Sequence, residues 1–151
     1  MYRKVLVPLD GSMLAECALD HVKTMVQEGF ARELTLLTVA HIDAPYSELY
    51  GAHFDINKMK KAYIDAARRY LEKVQARLAT EGITVKTEVV EHDRPAPAIT
   101  DYAAKNGIDL IVIATHGYTG LKKLMLGSVA LSILHDSRAP TLLIRPEACR
   151  L

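Results

Sequence analysis

The chain has 151 residues and a mass of 16.7 kDa, half of them apolar and a quarter charged. This is the size of one domain and excludes disordered, collagenous and low-complexity classes. Nineteen Lys and Arg against eighteen Asp and Glu leave a net charge of +1, so no global field gathers DNA or RNA. No apolar run approaches the roughly 18–20 residues that span a bilayer; the basic-then-apolar start reads as a buried strand rather than a secretory leader, and the protein as cytoplasmic.

Strand-like and helix-like stretches alternate along the chain. Lys4–Pro8 is a short apolar run. Met13–Glu28 places Leu14, Ala18, Val22, Met25 and Val26 at helical spacing, and Leu34–Ala40 is strand again. Ile56–Thr80 carries Ile56, Met59, Tyr63, Ala66, Tyr70, Val74 and Leu78 on one face of a long amphipathic helix, which Gly82 stops. Ile83–Val89 alternates apolar with polar, the pattern of an edge strand. Pro97–Asn106 is a short helix ended by Gly107. Asp109–Ala114 is apolar on both faces, as a central parallel strand requires. Leu124–His135 is helical through Leu126, Val129, Ala130, Ile133 and Leu134. Thr141–Ile144 is the last strand, between Pro140 and Pro146.

This βαβαβαβαβ pattern predicts a single α/β domain over residues 1–151, a doubly wound five-stranded parallel sheet with helical crossovers. An edge-like third strand with central-looking first and fourth strands is satisfied by the order 3-2-1-4-5. The reversal of direction then falls between strands 1 and 4, where ligands of open α/β sheets bind at the carboxyl ends. The residues after Val7 and after Ile113 are therefore the ones that matter.

After strand 1 comes Pro8-Leu9-Asp10-Gly11-Ser12. Two readings of Asp10 stay open: an acceptor for a ribose hydroxyl or base N–H at the crevice mouth, or a turn residue capping the next helix, with Ser12 as a second candidate cap. After strand 4, Gly117, Gly120 and Gly127 leave backbone amides uncovered. Gly127-Ser128 opens a helix, where free N–H groups and the dipole favour an anion and Ser128 adds a hydroxyl. This is the physical layout of a phosphate cradle, although neither the G-x-x-x-x-G-K-[ST] nor the G-x-G-x-x-G fingerprint is present.

Val5–Ser12 resembles the opening strand and turn of the universal stress protein (UspA) family. Ala114–Ser128 resembles that family's nucleotide loop, G-x2-G-x9-G-[ST], and Ala139–Pro146 resembles its closing strand. The resemblance implies a Rossmann-like, adenine nucleotide alpha hydrolase-like fold. It implies a homodimeric stress-response protein that binds ATP or another adenine nucleotide such as AMP. Any Mg²⁺ would ride on the nucleotide phosphates with mostly water ligands. Carried over, Pro8, Leu9 and Asp10 line the adenosine side, Val39 contacts adenine, and Ile113 and Ala114 pass beneath the nucleotide. Gly117, Gly127, Ser128 and Val129 hold ribose and phosphates. The sequence departs from the family at Ala114, which stands where the motif has its first glycine.

His116 lies inside this loop within reach of a phosphate, and Lys122 and Lys123 either neutralise phosphate charge or form a solvated helix start. No catalytic residue is assigned. The histidines show no H-x-x-x-H grouping, so no dedicated metal site is expected. Cys17 and Cys149, far apart in sequence, read as reduced thiols. The long connection His41–Asp55 is either a lid over the base or a short helix packed elsewhere. Thr141–Ile144 lacks the polar alternation and lysines of a protected edge, which points to pairing with a second copy in a homodimer. Three functions compete: an adenine-nucleotide-binding regulator with at most slow ATP hydrolysis, a dimeric stress or scaffold protein that binds no nucleotide, and a phosphoacceptor domain using Asp10, Asp93 and Arg145.

Overall fold

Val5, Leu6 and Val7 are fully buried, and only a strand covered on both faces can hide three consecutive branched side chains. The computed structural model describes residues 1–41, 56–116 and 126–146. Its strands are β1 (Tyr2–Pro8), β2 (Ala31–Ala40), β3 (Lys86–Glu91), β4 (Leu110–Ala114) and β5 (Thr141–Ile144). Its helices are α1 (Met13–Gln27), α2 (Ile56–Thr80), α3 (Pro95–Asn106) and α4 (Ser128–Asp136). The strands form one parallel sheet in the order β3-β2-β1-β4-β5, the order expected from the strand patterns.

The pleat sorts the strand residues into two cores. Val5, Val7, Leu34, Leu36 and Val112 point to the face covered by α1 and α2, where Ala18, Leu19, Val22, Leu71, Val74 and Leu78 meet them. Leu6, Leu37, Ile111 and Ile113 point the other way, onto Ile99 and Ala103 of α3 and Ala130 and Ile133 of α4. β1 therefore sits between β2 and β4 with helices above and below. At the end of the sheet away from the crevice, the Asp109 carboxylate accepts from the Arg3 and Lys4 amides at 2.8 and 2.9 Å, locking β1 against the start of β4.

The structure corrects several expectations. Ile83 and Val85 are buried core residues that precede β3 rather than belong to it. The Ile83 amide donates to the Leu78 carbonyl at 3.0 Å, and the Val85 carbonyl accepts from Gln75 Nε2 at 2.8 Å, so their backbone is committed to α2. α3 begins earlier than expected, with Pro95 in its first turn, where a missing N–H costs nothing. Leu14 and Leu134 lie on the exposed sides of α1 and α4. Cys17 is disulfide-bonded rather than a reduced thiol, because separation along the chain sets no limit on proximity in a folded domain. Cys149, Gly117, Lys122, Lys123 and all of the His41–Asp55 connection except His41 lie outside the described residues.

Candidate functional site

The carboxyl ends of β1 and β4 open into one cavity of about 840 Å³, within the usual range for small-molecule sites of roughly 300–1,000 Å³. Pro8, Leu9 and Asp10 line it from β1, Val39 from β2, and Ile113, Ala114 and His116 from β4. Gly127, Ser128 and Val129 line it from the start of α4. The structure thus gathers ten of the sequence-derived site residues around one hollow, with Gly117 outside the described residues. Asp93 does not join them: it follows the edge strand β3, with β2 between it and β1, so the Asp10–Asp93–Arg145 grouping of the phosphoacceptor reading is not assembled at this cavity.

The β1 side is held by side-chain hydrogen bonds. Gly11 takes a positive φ of 85°, turning the chain sharply after Asp10. One Asp10 carboxylate oxygen, Oδ1, accepts from the Ser12 amide at 2.9 Å and from the Ser12 hydroxyl at 2.6 Å. Ser12 Oγ in turn accepts from the Ala15 amide at 3.1 Å and caps α1. Of the two candidate caps, Ser12 does the capping and Asp10 braces it. The turn is tied to β2 as well: the Leu9 amide donates to the Leu37 carbonyl at 2.8 Å, and Thr38 Oγ1 donates to the Leu9 carbonyl at 3.0 Å.

The β4 side is held by backbone bonds. Thr115, almost fully buried, donates its amide to the Ile144 carbonyl of β5 at 2.8 Å and accepts from the Gly127 amide at 2.7 Å. Its hydroxyl lies 2.9 Å from His116 Nδ1. His116 Nε2 is enclosed and has no hydrogen-bond partner among the described residues. α4 has no side-chain cap and no acidic residue in its first turn. Its first ladder bond runs from the Leu131 amide to the Gly127 carbonyl at 2.9 Å, so the Ser128 and Val129 amides precede the ladder, and both residues line the cavity. The described lining residues include no lysine or arginine, leaving helix-start amides, the Ser128 hydroxyl and His116 as the donors suited to an anion on this side.

Periodicity misplaced one part of the site. The α2 stripe reads as a continuous core face, but only its C-terminal half, Leu71, Val74 and Leu78, is buried. Tyr63, Ala66 and Ala67 from its N-terminal half, and Tyr70 just past its midpoint, overhang the crevice. Tyr70 donates to Glu16 Oε1 at 3.0 Å, and Glu16 Oε2 pairs with Arg77, so a network joins α1 to α2 at the cavity edge. Burial, reinforced by the Glu16 carboxylate, pushes the Tyr70 phenol well above its ordinary pKa. A sequence stripe reports a shared face and not what that face meets, so the signal for these residues was absent.

A profile of the universal stress protein family matches residues 1–145, nearly the whole chain. The chain belongs to the universal stress protein family. Universal stress protein YxiE of Bacillus subtilis is 32% identical, with 96% of this chain and 100% of that protein covered. The solved structure of universal stress protein MJ0577 of Methanocaldococcus jannaschii superposes with a TM-score of 0.78 at 32% identity, covering 96% of each chain. Two more distant structures share the fold. A family member from Arabidopsis thaliana with AMP bound has a TM-score of 0.66 at 17% identity, covering 95% of this chain and 91% of that one. A universal stress protein in complex with cAMP has a TM-score of 0.61 at 21% identity, covering 96% and 98%. No helix among the described residues is long and apolar enough to cross a membrane.

Proposed function

We propose that this universal stress protein is a regulatory adenine-nucleotide-binding protein, with ATP as ligand, that works in the cytoplasm as a homodimer. One observation carries the reading: the turn ending in Asp10 and the start of α4 meet at one hollow, with Ser128 and Val129, whose amides precede the α4 ladder, at its wall. Helix-start amides of this kind suit a phosphate. The apolar surfaces of Leu9, Leu37, Val39 and Ile113 suit a flat base at the other end. That two proteins of this fold were solved with AMP and cAMP supports an adenine nucleotide. Mg²⁺ would be carried by the phosphates with mostly water ligands. At most slow hydrolysis is expected, from positioning and the ion alone.

The dimer reading rests on β5. It is an outer strand with Leu142 exposed, and Leu131 and Leu134 of α4 are half-exposed. Antiparallel pairing of two such edges about a two-fold axis would cover them.

Calorimetry with ATP and Mg²⁺ on protein shown by sedimentation to be a dimer tests the proposal, with saturable binding expected. No heat at millimolar ATP removes the nucleotide reading, and a monomer mass removes the dimer. A second reading, a dimer that binds no nucleotide, is favoured by Ala114, whose methyl group stands where the family motif has glycine. Absorbance near 260 nm that stays with the purified protein and is released on denaturation decides for the first.

A further inference from the structure

Gly127 belongs to the family's nucleotide motif, where a glycine amide is expected to face the phosphates. Its amide is engaged elsewhere: it donates to the Thr115 carbonyl at 2.7 Å. Nor does the backbone demand glycine, for φ is −59° and ψ is 147°, which any L-residue adopts. What the position demands is space. A Cβ built on Gly127 would lie 2.7 Å from the Thr115 carbonyl oxygen, 3.6 Å from its carbon and 3.8 Å from His116 Cα. The obstacle is backbone, and it is anchored, because the Thr115 amide donates to Ile144 of β5 at 2.8 Å and the residue is 4% exposed.

We propose that Gly127 is a positioning residue: the absence of its side chain lets the start of α4 close onto the end of β4 and aims the Ser128 and Val129 amides at the anion. The two ends of the intervening segment are clamped 2.7 Å apart through Thr115 and Gly127. Gly127 also carries the first α4 ladder bond, from Leu131, so any shift at the clamp is passed directly to the helix start. Misaligned donors lose hydrogen-bond energy steeply, and bonds to a charged acceptor have the most to lose.

This assignment rests on the nucleotide reading, and its test separates the two. Binding of adenosine and of Mg²⁺-ATP is measured by calorimetry for the wild-type chain and for Gly127→Ala. The expected result is a loss of roughly tenfold or more in ATP affinity, the scale of one charge-assisted hydrogen bond, with adenosine affinity within about twofold. A parallel loss of both ligands, or an unchanged ATP affinity, overturns the positioning role while leaving the nucleotide reading in place. Wild-type protein that binds neither ligand overturns both. Should Gly127→Ala fail to fold, amide exchange on the wild-type protein decides instead. The Gly127 N–H is expected to be protected before ligand is added, with ATP newly protecting Ser128 and Val129. A Gly127 amide protected only by ATP overturns the clamp.

Discussion

α1 and α4 both begin at the crevice, on either side of the β1–β4 seam, and their first turns are completed in opposite ways. At α1 the protein supplies its own anions and acceptors. Ser12 caps the helix, Asp10 braces Ser12, and Glu16 adds a carboxylate to the first turn, itself paired with Arg77 and Tyr70. At α4 the cap position is Gly127, which has no side chain to offer; no acidic residue follows in the first turn, and His116 Nε2 beside it is enclosed and has no partner among the described residues. Helix-start N–H groups and the positive end of the dipole favour a negative partner in both cases. One helix start is satisfied internally and the other, among the described residues, is not. Two helices of one domain thus show the difference between a capped and an uncapped terminus, and under the proposed function the uncapped one is where the phosphates sit.

The comparison can be broken most severely at the open terminus. His116→Ala is expected to weaken ATP by about tenfold, the cost of one hydrogen bond to a charged group, while adenosine affinity stays level. The variant also takes away the Thr115 hydroxyl's partner, His116 Nδ1 at 2.9 Å, so a small stability loss of about 1 kcal/mol should accompany it. Calorimetry paired with thermal unfolding checks both, and an equal loss of the two ligands would place His116 on the wrong side of the crevice.

The closed terminus should answer in the other currency. Ser12→Ala removes the α1 cap and is expected to cost about 1 kcal/mol of stability, read from denaturant midpoints, with ATP affinity unchanged within about twofold. A large affinity loss with stability intact would show that the α1 start also faces the nucleotide.

The smallest effect sharpens the contrast through pH. Burial and Glu16 raise the Tyr70 pKa in the folded state above its unfolded value. The neutral phenol is the form the fold favours, so its contribution is complete below about pH 10, the ordinary tyrosine value, and is lost as pH climbs from there toward the folded value. Tyr70→Phe should therefore flatten the alkaline decline in stability, and coincident wild-type and variant curves above pH 10 would remove Tyr70 as a cause.

Much of this was legible in the chain itself. Alternating versus continuous apolar runs placed β3 at an edge and β1 and β4 in the middle, because burial on one face or two leaves different residue patterns. From that order came the switch point, and from the switch point the residues around the cavity. Family motifs pointed to the same residues. Periodicity failed where one helix serves two surroundings: the α2 stripe runs unbroken from Tyr63 to Leu78, yet its first half overhangs a hollow and its second half packs a core. It failed again at Ile83 and Val85, whose alternation is that of a strand although their backbone bonds go to α2.

The sequence by itself determined the parallel sheet, its strand order and the two stretches that meet at its carboxyl end, since these follow from hydrophobic pattern and chain connectivity. Only the tertiary structure decided which of two adjacent polar residues caps α1, what α2 overhangs, and that the Gly127 amide is already taken. The last two depend on contacts between residues well separated along the chain, and the first on a choice of about 3 Å geometry between neighbouring side chains that both suit a cap; a local pattern of residue types carries no information about either.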